Sequence, residues 1–74
     1  MQKISIEKAV KLLGRELIGK LAHVVCTSIH KGILFIDIDS EEPRAYLERN
    51  YIQYKGYSTH IRLIGTPKIG CGKN

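Results

Sequence analysis

Apolar residues recur at Ile6, Val10, Leu13, Leu17 and Leu21, with successive spacings of four, three, four and four. That period lays one apolar stripe along a helix, and Ala9 widens it. Ser5 stands where an N-cap is needed, and Glu7 in the first turn meets the positive end of the helix dipole. Glu7 with Lys11, and Glu16 with Lys20, fall at i,i+4 in the favourable order. The pattern predicts a helix over about residues 5–20. Gly14 and Gly19 interrupt it, each costing about 1 kcal/mol relative to alanine in a helix interior. They either divide the helix or let another element approach closely.

The period then shortens. His23-Val24-Val25-Cys26-Thr27 is β-branched and apolar, and Ile33-Leu34-Phe35-Ile36-Asp37-Ile38 is the strongest strand signal of the chain. Gly32, in the segment Ile29-His30-Lys31-Gly32, suits a turn between them, so an antiparallel hairpin is expected. On its second strand Leu34, Ile36 and Ile38 share one face, and Ile33 and Phe35 share the other with Asp37 and Asp39. Both faces are apolar at the start, which predicts a central strand whose far end emerges into solvent.

Ser40-Glu41-Glu42-Pro43 reads as a helix start: a capping serine, acids in the first turn, and a proline where its missing N–H does no harm. Arg44 to Tyr54 then continues as helix and stops at Gly56. A second hairpin competes for the same residues, with Tyr51-Ile52-Gln53-Tyr54 and Tyr57-Ser58-Thr59-His60-Ile61 joined by Lys55-Gly56. Thr59 to Ile64 alternates as a strand in either case. With a short first strand over residues 2–4, the order is that of an α+β domain: a small antiparallel sheet with two helices packed on one face, in the ferredoxin-like split β-α-β arrangement. The alternative is a small SH3-like barrel with an N-terminal helix, in which residues 44–64 are all strand. Residues 1–65 are expected to form a single compact domain, and 66–74 a flexible Gly-rich tail.

Seventy-four residues leave room for one domain. A chain of this size buries roughly 60 to 65% of its unfolded surface, which leaves no volume for a deep enzyme cleft. Two cysteines, Cys26 and Cys71, are too few for a disulfide scaffold and are expected as free thiols. No apolar run approaches the roughly 20 residues of a membrane span, and Met1-Gln2-Lys3-Ile4 lacks a signal-peptide core. A cytoplasmic protein with no membrane partner is the expectation.

Charge is distributed unevenly. Residues 1–31 hold six basic and two acidic side chains, residues 32–48 hold five acidic ones and Arg44, and residues 49–74 hold five basic and no acidic ones. The net charge of +5 is therefore concentrated at both ends of the chain, a field that draws polyanions to part of the surface.

Several motifs invite chemistry and fall short of it. The segment Pro67 to Asn74 has the Gly-Lys ending of a phosphate-binding loop but proline for the first glycine and asparagine for the hydroxyl residue. Asp37 and Asp39 sit at a strand end, as carboxylates that hold Mg²⁺ or Mn²⁺ do, although solvated acids at a strand exit are common. His23, Cys26, His30, His60 and Cys71 lack the spacing of a zinc site, since Cys26 and His30 would share a strand face while His23 points away. Neither a cofactor nor a catalytic residue is expected.

The basic features carry more. Lys8, Lys11 and Arg15 lie on one side of the first helix, opposite its apolar stripe. All four tyrosines interleave with cations in the series Tyr46, Arg49, Tyr51, Tyr54, Lys55, Tyr57, His60 and Arg62. Rings that stack bases beside cations that neutralise phosphate serve single-strand and RNA recognition. The expected function is a non-catalytic domain that binds RNA or DNA, with Arg49, Tyr51, Tyr54, Lys55, Tyr57, Arg62, Lys8, Lys11 and Arg15 as its contacts. The alternative is a protein-interaction or homo-oligomeric regulatory module, built on an exposed sheet edge or face.

Overall fold

The computed structural model describes residues 3–64. Helix α1 spans Ile6–Leu17, and the Ser5 hydroxyl caps it by accepting from the Lys8 N–H at 3.1 Å. The helix keeps Gly14 and ends three residues short of the expected limit, because Ile18 turns to extended backbone and Gly19 takes a left-handed φ of 85°. Strand β1 (Val24–His30) and strand β2 (Ile33–Ile38) pair antiparallel as expected. Their two-residue turn has Lys31 at φ 52° and Gly32 at φ 77°. Two consecutive positive φ angles define the type I′ turn, whose twist matches a hairpin.

Helix α2 is short, Arg44–Asn50. Ser40 does not cap it; its hydroxyl accepts from the Glu42 N–H in the preceding turn, and the N-terminal position is taken by Pro43 without a side-chain cap. Residues beyond Asn50 leave the helix and form the competing hairpin. Strand β3 (Gln53–Tyr54) returns as β4 (Tyr57–Leu63), again through a Lys-Gly turn with Lys55 at φ 53° and Gly56 at φ 89°.

The sheet order is β1-β2-β4-β3, and β2 runs parallel to β4 with Phe35 beside His60 and Asp37 beside Arg62. The architecture is α+β, but the sheet is mixed where an antiparallel one was expected. The connection is the cause: α2 and the short β3 together carry the chain back across, so β4 enters the sheet in the direction of β2 while β3 runs against both. Lys3, Ile4 and Ser5 form no strand. The sheet is open, with β1 and β3 at its edges, so the barrel alternative is overturned.

Both helices cover the same face. Ala9, Leu13 and Leu17 of α1 and Leu47 of α2 join Leu34, Ile36, Ile38, Ile61 and Tyr54 in one buried cluster. Gly14 permits a close approach of helix and sheet: a Cβ there would lie 3.0 Å from Thr27 Oγ1 of β1. Thr27 in turn donates to the Val10 carbonyl at 3.3 Å, which ties the sheet edge to the helix. No helix among the described residues is long and apolar enough to cross a membrane.

Candidate functional site

Strand alternation sends every second side chain to the face that neither helix covers. The registers bring together Cys26, Ser28 and His30 of β1, Phe35 and Asp37 of β2, and His60 and Arg62 of β4. Phe35 lies at the centre. His30 and His60 meet its ring edge-on, with centroids at 5.7 and 5.1 Å. The Arg62 guanidinium lies over the same ring at 5.0 Å.

Arg62 is also bound to Asp37 by two hydrogen bonds, Nε to Oδ1 at 2.9 Å and Nη2 to Oδ2 at 3.1 Å. Those bonds hold its guanidinium above the ordinary arginine value. Asp37 is 5% exposed, whereas the Arg62 side chain is 47% exposed. The face therefore presents the cation and hides the carboxylate. The Cys26 sulfur lies 3.3 Å from Asp37 Oδ2. Cys26 is disulfide-bonded, which corrects the expectation of a free thiol at this position.

The residues expected to contact nucleic acid divide between several surfaces. Lys8, Lys11 and Arg15 are exposed along α1, and Arg49 is exposed in the last turn of α2. Lys55 occupies the β3–β4 turn, its Nζ 5.5 Å from the Tyr54 ring centroid. Tyr51, Tyr54 and Tyr57 turn inward, while Tyr46 stays exposed. Tyr51 and Tyr54 donate their hydroxyls to the two oxygens of Glu16, at 3.0 and 2.7 Å. Burial first, and then the bond to Glu16, pushes the Tyr54 hydroxyl up to about 12. Tyr57 donates to the Ile4 carbonyl at 2.7 Å, and Lys3 lies over its ring. Of the expected set only Arg62 reaches the helix-free face.

Comparison with protein-family models, curated proteins and solved structures finds no match.

The remaining candidate groups are engaged elsewhere. Asp39 meets His23 Nδ1 at 2.9 Å, and Glu42 meets His23 Nε2 at 2.9 Å. Asp37 and Asp39 thus each face a basic side chain, and no group of three or more His, Cys, Asp or Glu is arranged for a metal ion among the described residues. Glu41 binds Arg44 through both oxygens, and that hydrogen bond lowers its carboxyl below the usual range. The phosphate-loop-like segment Pro67 to Asn74 lies outside the described residues, as does Cys71.

Phe35 and His30 lie outside the expected site, and His60 belongs to the tyrosine–cation series without being among its expected contacts. The signal was present, since the sequence places Phe35 on the β2 face opposite Leu34, Ile36 and Ile38. What the sequence lacks is the β2–β4 register that brings His60 and Arg62 beside it.

Proposed function

We propose that this chain is a non-catalytic domain that binds nucleic acid through its unneutralised cations. The supporting observation is how six of its seven acids are spent, the seventh being Glu7 in the first turn of α1. Glu16 takes two tyrosine hydroxyls, Asp37 takes Arg62, Asp39 and Glu42 take His23, and Glu41 and Glu48 take Arg44. Among the described residues no acid pairs with Lys8, Lys11, Arg15, Lys31 or Arg49. Positive charge without a local partner attracts phosphate, and its binding releases counterions. Affinity for a labelled oligonucleotide should therefore fall steeply, by about tenfold or more, between roughly 50 and 200 mM salt. Affinity that does not change over this range refutes the proposal.

A homo-oligomeric module is the second reading, favoured by one feature of β1. This seven-residue edge strand carries no Lys, Arg, Asp, Glu or Pro, the residues that commonly guard an edge. Its bulge between Val24 and Cys26 protects only one end. Sedimentation at high salt separates the two readings, because a pairing of strand edges persists where phosphate binding is screened.

A further inference from the structure

Among the unassigned features, the cluster on the helix-free face combines planar groups, cationic charge and exposure. We propose that this face is a stacking platform for unpaired bases, so that the nucleic acid bound is single-stranded. The inference rests on the polyanion reading above and names its substrate class.

The geometry supports it in layers. Phe35 is half-buried and forms the floor. The Arg62 guanidinium lies over that floor at 5.0 Å, and its side chain is 47% exposed, so the planar group is open to a ligand. Asp37 grips Nε and Nη2 and so fixes the orientation of that plane. His30 and His60 are exposed on either side, set edge-on to Phe35. A guanidinium plane and imidazole rings are surfaces on which bases stack, and every base has a π-face to offer.

Charge points the same way. Asp37 is the only acid in strands β1, β2 and β4, and it is buried beneath the arginine. A phosphate backbone lying along this face therefore meets His30, His60 and Arg62, and Lys31 in the adjoining turn, without an exposed carboxylate on the strands. A duplex hides its base faces in its own stack, so it gains the charge and forgoes the rings.

The test compares three labelled probes by fluorescence anisotropy on the full chain: a single-stranded RNA of about twelve nucleotides, an abasic strand of equal length, and a duplex. The platform predicts that the natural strand binds about tenfold tighter than the abasic one, the factor expected from one stacked base. Arg62→Lys keeps a cation beside Asp37 but removes the plane, and His60→Ala removes a ring. Each should weaken the natural strand more than the abasic one, and so reduce the preference towards unity, with folding checked by circular dichroism. Lys8→Gln with Lys11→Gln should weaken all three probes together and leave the preference intact. Equal binding of natural and abasic strands overturns the platform and leaves the polyanion reading standing. A preference that survives both Arg62→Lys and His60→Ala overturns the site. No binding of any probe at low salt overturns the polyanion reading itself.

Discussion

Gly14→Ala tests how the first helix meets the sheet. Alanine stabilises a helix interior by about 1 kcal/mol relative to glycine. The new Cβ, however, would stand 3.0 Å from Thr27 Oγ1 and 3.6 Å from Ile18 Cδ1. The second distance is ordinary contact; the first forces the threonine to yield by a few tenths of an ångström. Its hydroxyl is already at 3.3 Å from the Val10 carbonyl, so yielding gives up that bond, a loss of about 1 kcal/mol. The two effects nearly cancel, and Gly14→Ala alone should change stability by less than about 0.5 kcal/mol. In a Thr27→Ala background the obstacle is gone and the same substitution should stabilise by about 1 kcal/mol. Urea unfolding of the four proteins, followed by circular dichroism, measures the difference as a double-mutant cycle. If Gly14→Ala stabilises by about 1 kcal/mol in both backgrounds, the close approach is not what keeps glycine there.

Two further outcomes follow from the polar contacts. Arg62→Met leaves the Asp37 carboxylate, 5% exposed, without its two charge-assisted bonds. Because the arginine is half-exposed, the cost should be about 1–3 kcal/mol, most of it recovered by adding Asp37→Asn, and full additivity in thermal or urea unfolding would refute the coupling. Tyr54 supplies a pH dependence: its folded value is raised to about 12, above the ordinary 10.0, so the unfolded chain loses this proton first as pH rises. Its contribution is complete below pH 10 and is lost between 10 and about 12. The stability difference between the parent and Tyr54→Phe should therefore be constant below that window and shrink within it; a constant difference throughout would refute the assignment.

Local signals in the sequence carried the parts of the fold that local forces decide. The Ile6-to-Leu21 stripe and the Ser5 cap located α1, and the strand run at Ile33 with the Lys31-Gly32 turn located the first hairpin. Lys55-Gly56 was ambiguous because a glycine after a helical run and a glycine in a type I′ turn look alike. The choice lies in contacts from distant residues: Tyr54 reaches Glu16, Tyr57 reaches Ile4, and Thr59 hydrogen-bonds to the Tyr51 carbonyl. The same contacts explain why tyrosines that resemble a stacking array serve the core. The planar cluster at Phe35 is not legible in the sequence because His60 and Arg62 arrive through a parallel register, which leaves no trace in spacing along the chain.

That parallel seam also has a consequence for how the domain assembles. Each Lys-Gly turn joins neighbouring strands, so both hairpins form from contacts close in sequence. Leu34 with Thr59 and Ile38 with Leu63, by contrast, each close a span of 25 residues. Loop-closure entropy falls mainly on this joint, and slow folding steps follow contacts of long sequence separation. Substitutions along the seam, at Ile36 or Ile61, are therefore the ones that should retard refolding, while changes confined to either turn act on pieces that form early. The face bearing Phe35, His60 and Arg62 straddles this joint and comes into being only when it closes.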